Sequence, residues 1–313
     1  RPAPAASKLY MEVPMYVVLG ASGNTGHVVA QQLLHSGQKV RVVGRNAAHL
    51  QFLAAEGAEI FTADLTDTPA VTKAFQQASS AYVMVPPNPT SNDFRAFQDR
   101  VSDSIVKAAQ DSGVKNIVSL SSIGAEKSSG TGPVVGRYNL EQKLNKIGDA
   151  NVLHLRAGYF MENTLPQAAA IQKMGITVGP VRPDLKLPMI ASCDIGKAAA
   201  AALLRLDFHG KKTHELLGQR DLDYTEATTI IGKAIGKPDL KYSRIPDDQV
   251  RGAMVQMGMS DNFARLIIEM AGALNSGFMK PLEPRNPQNT TSTTYENFVA
   301  EFFVPAYQQQ AAA

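Results

Sequence analysis

The chain has 313 residues, 44% hydrophobic and 19% charged, enough apolar material for a sizeable core in one large or two modest domains and too little charge for a disordered chain. Lys and Arg number 31 against 28 Asp and Glu, and the +3 excess is scattered without a basic block, which argues against nucleic acid as a partner. The single cysteine, Cys193, excludes an intramolecular disulfide and a cysteine-based metal cluster and points to a reducing compartment. No apolar run approaches the ~18 residues of a membrane span, so a cytoplasmic, globular protein is expected.

Residues 1–14 lack a hydrophobic signal core and read as an extension before Met15; residues 311–313 read as a terminal extension. Tyr16 to Leu19 is a short apolar run, suited to a buried strand. Gly20-Ala21-Ser22-Gly23-Asn24-Thr25-Gly26 follows, then a helix from His27 to His35 and a second strand from Lys39 to Val43. Strand, glycine loop, helix and strand is the context in which a glycine motif points to a dinucleotide. Gly20 permits the tight turn, Gly23 lets the backbone approach a pyrophosphate, and Gly26 lets the helix pack against the sheet. Ser22, Asn24 and Thr25 complete the loop, and the helix N-terminus offers amides to the phosphates.

The end of the second strand selects the cofactor. NAD sites place an acid there to hold the ribose hydroxyls, yet no acidic residue occurs between Gly20 and Ala55. Arg45-Asn46 stands in that place, with Lys39 and Arg41 nearby. A guanidinium can clamp a 2′-phosphate through paired hydrogen bonds, so NADP(H) is expected over NAD(H). Further strands are expected at Glu59–Thr62, Ala81–Val85, Asn116–Leu120 and Asn151–Leu155, with helices at Thr68–Ala78 and Asp93–Ser112. The alternation predicts a doubly wound parallel sheet whose ligands lie at the strand C-termini. Those ends name Asp64 and Leu65, then Val85-Pro86-Pro87, then Ser121-Ser122, as pocket residues. Asp64 either accepts from the adenine amino group or caps the next helix.

Regularity falls after Gly158. Helices are expected at Asp194–Leu206, Tyr224–Ile235, Asp247–Met257, Asp261–Ala273 and Thr294–Tyr307, the last with Phe298, Phe302 and Phe303 on an aromatic face. Thr213–Leu217 reads as a strand and Pro281–Pro287 as a linker. Met254, Met257, Met259, Met270 and Met279 read as core or cleft lining. The division expected is a dinucleotide-binding domain over 15–158 and a smaller, mostly helical substrate lobe over 159–310, with some segments returning to the sheet. The six His show no metal spacing; His154 reads as a core residue and Glu162 as a helix N-terminal acid.

The glycine loop Gly20–Gly26, Val42-Val43-Gly44-Arg45-Asn46, Ala63-Asp64-Leu65, Ser121-Ser122 and the stretch from Leu155 to Asn163 together resemble the NmrA-like family of atypical short-chain dehydrogenase/reductases. The resemblance covers about residues 15 to 310. It implies a Rossmann fold, NADP(H) binding and a small C-terminal substrate lobe. It also implies one of two activities: reduction of quinones, dyes or other conjugated molecules, or nucleotide-dependent regulation without turnover.

Short-chain dehydrogenases commonly use a Tyr-x-x-x-Lys helix, the Tyr donating a proton and the Lys lowering its pKa. Here Gln142 stands where Lys should follow Tyr138, and Lys143 is one place late, about 100° around a helix of ~3.6 residues per turn. The motif is broken. Quinone or enone reduction tolerates this, because hydride addition leaves a stabilised anion that a weak donor can protonate. Tyr138 is the candidate proton donor, Ser121 or Ser122 a candidate for orienting a substrate oxygen. Tyr159 is expected beside the nicotinamide, with Phe160 and Asn163 against the substrate. The expected activity is NADPH-dependent hydride transfer to a small conjugated carbonyl or quinone, without flavin or metal. The alternative is a non-catalytic redox sensor. A homodimer or a protein partner fits either.

Overall fold

The computed structural model describes residues 14–311; the remainder of both extensions lies outside the described residues. In β1 (Met15–Leu19), Tyr16 and Val18 enter one core while Val17 and Leu19 enter another, the period of two that a strand imposes. Both faces are apolar, so both need a helical cover. The following strands are β2 (Lys39–Gly44), β3 (Glu59–Thr62), β4 (Ala78–Val83), β5 (Asn116–Ser122) and β6 (Asn151–Ala157). Next come β7 (Tyr159–Phe160), β8 (Thr177–Gly179), β9 (Leu187–Ile190), β10 (Lys211–Leu216), β11 (Asp221–Leu222) and β12 (Tyr242–Arg244). The central sheet has seven strands in the order β10-β6-β5-β4-β1-β2-β3, all parallel. Strand order reverses between β1 and β4, which opens a crevice at their carboxyl ends. This is a doubly wound, Rossmann-like sheet.

The helices are α1 (Gly26–His35), α2 (Gln51–Ala55), α3 (Thr68–Ala74), α4 (Phe94–Ser112), α5 (Val135–Asn145) and α6 (Gln167–Met174). They continue as α7 (Ser192–Arg205), α8 (Tyr224–Ala234), α9 (Asp247–Gln256), α10 (Asp261–Asn275), α11 (Tyr295–Phe298) and α12 (Val304–Ala311). Residues of α1 and α7 share a core with Tyr16, Val18, Val42 and Tyr82; α3, α4 and α5 cover the opposite face over Val17, Leu19 and Val83. A third core, around Tyr224, Ile231, Tyr295, Phe298 and Phe303, is built mostly by the second half of the chain, with Ile123, Ala125 and Val134 from the first. No helix among the described residues is long and apolar enough to cross a membrane.

Several expected elements differ in extent. α3 stops at Ala74 rather than Ala78, because Gln77 takes a left-handed φ of 63° that reverses the chain into β4. The final helix is broken by a π turn at Val299–Phe303. One extra residue in that turn brings Phe298 and Phe303 to the same buried side and leaves Phe302 46% exposed. Met257, expected inside, is 64% exposed. The Pro-rich segment from Pro281 is no free linker: Leu282 and Glu283 donate their amides to buried Glu215, and Arg285 donates to the carbonyls of Leu217 and Gly218. α2, α6 and the short strands β7, β8, β9, β11 and β12 are too brief for a periodic signal.

Candidate functional site

The site begins where β1 ends. Gly20 takes a φ of +64°, a conformation costly to any residue with a Cβ, and its carbonyl accepts the amide of Gly23 at 2.9 Å. A Cβ on Gly26 would lie 2.3 Å from the Gly20 oxygen, so α1 starts in direct contact with the loop. No side chain caps α1, and its first turn holds no acid. Thr25, the residue placed to cap it, instead accepts a hydrogen bond from the Tyr82 hydroxyl at 2.8 Å. The positive end of α1 is left without a side-chain anion.

A cavity of about 210 Å³ opens at the carboxyl ends of β1 to β4. Gly20, Ser22, Gly23, Arg45, Asp64, Leu65, Pro86 and Pro87 form its wall, together with Met84 and Phe97, which sequence patterning does not single out. Val85 is not part of the wall. It is fully buried with Val83 against α4, and Met84 faces the cavity in its place, since side chains alternate past the end of a strand. Asn24 is exposed, and Thr25 is buried behind the loop.

The polar groups on this wall divide into committed and free ones. Arg41 is committed: it pairs with Glu59 and donates to the carbonyls of Ala74 and Gln76, away from the cavity. Asn46 caps the short turn Ala47–Leu50 by accepting from the Ala48 amide. Asp64 does not cap α3; Asp67 does. One Asp64 oxygen accepts from the Thr66 amide and hydroxyl, and these bonds, with Arg45 nearby, hold its carboxyl below the usual range. The exposed Arg45 has no hydrogen-bond or ion-pair partner among the described residues.

Beyond β5 and β6 the hydroxyls are largely spent on the protein itself. Ser121 donates to Glu141, whose two oxygens also take Arg156 at 3.0 and 2.7 Å. All three residues are buried, so the Ser121 hydroxyl belongs to a packed ion-pair cluster rather than to a cleft surface. Ser122 donates to the carbonyl of Ile123. Lys143 reaches Asp99 and Asp103 on α4, turned from Tyr138 as its one-residue offset requires. Tyr138 is half-buried, and its hydroxyl has no partner among the described residues. Tyr159 turns into the third core, its hydroxyl 2.8 Å from that of Tyr224. Phe160 packs on the α1–α7 side, and Asn163 is exposed at the end of the following turn. Glu162 accepts from the amide and hydroxyl of Ser192, capping α7. His154 is buried against Asn145, and burial pushes its imidazole down to about 4.

One group escapes sequence reasoning altogether. Arg137, in the first turn of α5, has a wholly buried Nη1 with no partner among the described residues. Burial pushes its pKa down to about 10, opposed by the field of Tyr82. A lone Arg on a helix carries no signal in sequence, because what marks it is the absence of a partner.

Comparisons with known proteins agree with this architecture. The chain is 28% identical over 266 residues to quinone oxidoreductase 2 of Escherichia coli, covering 84% of this chain and 89% of that one. Its fold is similar to that of an Escherichia coli NADPH-dependent quinone oxidoreductase complexed with NADPH, with a TM-score of 0.77 at 24% identity, covering 92% and 99% of the two chains. It is also similar to triphenylmethane reductase of Citrobacter complexed with NADP(H), with a TM-score of 0.70 at 20% identity, covering 96% and 100%. At such identities the two structures speak to the fold. The NmrA-like family model matches residues 15–303, nearly the whole described chain, and the chain belongs to the NmrA-like family.

Proposed function

We propose that the chain is an NADPH-dependent reductase that delivers hydride to a small conjugated carbonyl or quinone without flavin. The observation that carries the reading is Arg45: an unpartnered guanidinium on the cavity wall, at the end of β2, where an NAD site would place an acid. The names of the similar Escherichia coli and Citrobacter proteins support the same class. Residues 15–158 hold the cofactor and residues 159–310 supply the substrate side.

The loop from Gly20 to Gly26 and the uncapped start of α1 receive the diphosphate. Arg45 clamps the 2′-phosphate, while the free Asp64 oxygen and the apolar wall of Leu65, Pro86 and Pro87 receive the adenosine. Bound NADPH supplies the hydride. The protein contributes chiefly position, holding donor and acceptor in contact and excluding water. Tyr138 is the remaining candidate proton donor, since Ser121, Ser122 and Lys143 are engaged elsewhere.

That engagement also favours a second reading, an NADP(H)-binding redox sensor without turnover. Calorimetry with NADPH and NADH, followed by absorbance of the nicotinamide with a quinone panel, separates the two. NADPH binding with quinone-dependent oxidation establishes the reductase. Tight binding without turnover on any quinone or enone establishes the sensor, and preference for NADH refutes the role given to Arg45.

A further inference from the structure

The buried cations Arg41 and Arg156 are answered by the protein. Arg41 has Glu59 and two backbone carbonyls; Arg156 has Glu141. Arg137 has nothing among the described residues. On a helix its natural partner is the acid four residues on, which is Glu141, but both Glu141 oxygens are taken by Arg156 and Ser121. Arg137 is half-buried, and a guanidinium nitrogen sealed from water without a partner is costly. Its location indicates what repays that cost. It stands in the first turn of α5, which follows β5 and so starts at the carboxyl edge of the parallel sheet, the edge at which α1 also begins. The first turn of α1 holds no acid. Two positive features thus stand at the carboxyl edge of the sheet, neither answered by a side-chain anion among the described residues.

We infer that Arg137 binds an anionic oxygen of the ligands held in this cleft: the diphosphate of the cofactor, or the acceptor oxygen left anionic by hydride addition. The inference rests on the cofactor reading above and adds a residue to it. A guanidinium gives such an oxygen paired, charge-assisted hydrogen bonds. It also cancels the charge without a proton transfer, which suits a protein whose Ser121, Ser122 and Lys143 are engaged elsewhere.

The test compares Arg137→Met with the wild-type full chain by thermal denaturation, calorimetry and quinone turnover. Without ligand, R137M melts at or above the wild type, because a buried donor nitrogen without a partner has been removed. With ligand, it loses either NADPH affinity or kcat by about tenfold to a hundredfold. Equal weakening toward 2′-phospho-ADP-ribose, which has the diphosphate but no nicotinamide, assigns the diphosphate. Unchanged affinity for that fragment with a fall in kcat at constant KM assigns the acceptor oxygen. Arg137→Lys recovers part of either loss. Should R137M fail to fold, Arg137→Gln, uncharged but still a donor, carries the same comparison. A variant that melts well below the wild type yet binds NADPH and turns over normally overturns the inference. If the wild type itself does not respond to NADPH, the cofactor reading fails first and this inference with it.

Discussion

Replacing Gly26 by Ala tests how the glycine loop is built. The new Cβ would lie 2.3 Å from the Gly20 oxygen, 2.8 Å from its carbonyl carbon and 3.0 Å from the Ala21 Cα. All three are backbone atoms, so no rotamer change relieves the overlap. Ordinary contact starts at 3.4 Å, so α1 must part from the loop by roughly 1 Å, an overpacking that costs about 1–3 kcal/mol. Ala gains back up to ~1 kcal/mol of helix propensity, so the net loss lies between about 0 and 3 kcal/mol. Binding suffers more. Moving the first-turn amides by that distance forfeits charge-assisted bonds worth about 1.5–3 kcal/mol, or roughly tenfold to a hundredfold in NADPH affinity. Urea denaturation and calorimetry read the two effects separately. Gly148→Ala is the control: nothing lies within 4 Å of its Cβ, and both readouts stay within about 0.5 kcal/mol of wild type. A G26A protein that binds NADPH as tightly as the wild type refutes the placement of the diphosphate on α1.

Arg45→Ala weakens NADPH binding about tenfold or more while leaving NADH nearly unchanged; equal losses for both cofactors in calorimetry rule out recognition of the 2′-phosphate. Glu141→Gln removes one of the two acids that face the buried Arg156, leaving Glu126 at 3.5 Å, and lowers stability by about 1.5–3 kcal/mol in urea denaturation; a negligible loss contradicts the ion-pair cluster. His154 stays neutral in the fold down to about 4, whereas the unfolded chain protonates it near pH 6.5. Its contribution is therefore present above pH 6.5 and lost as pH falls toward 4, a span worth on the order of 3 kcal/mol; His154→Gln flattens the stability profile in that window, and an unchanged slope shows that other groups set it. Tyr138→Phe slows quinone reduction by less than about tenfold, well short of the 10²–10⁴ of an assembled general acid. A larger loss, together with a shifted pH–rate profile, restores Tyr138 to the centre of the chemistry.

The rim of the cavity is legible in sequence for a topological reason. A parallel sheet brings every strand's carboxyl end to one edge, so Gly20, Arg45, Asp64 and Pro86 follow from where the apolar runs stop. What is not legible is phase. The expected strand Ala81–Val85 has the right alternation, but sequence does not say which parity faces the cleft. The packing of α4 decides it, burying Val83 and Val85 and leaving Tyr82 and Met84 on the other side. The hydroxyl contact of Tyr159 is hidden for a related reason. Its partner Tyr224 lies in a helix sixty-five positions away, a separation no local pattern reports. Commitment is equally invisible. Arg41 and Arg45 are alike in sequence, yet one is spent on Glu59 and the other is free.

The same distinction bears on mechanism. Arg45, Arg137 and Tyr138 have no protein hydrogen-bond or ion-pair partner among the described residues. Alcohol oxidation needs a fixed base to take the hydroxyl proton as hydride leaves. The nearby carboxylates of Glu141 and Glu162 accept bonds from Arg156 and Ser192 instead, and Lys143 is held by Asp99 and Asp103 on α4. A site rich in unanswered positive charge and poor in bases stabilises anions. It suits an acceptor whose product is already a stable anion, as a reduced quinone is, and it suits a bound dinucleotide phosphate equally well. The reductase and sensor readings therefore share one electrostatic design.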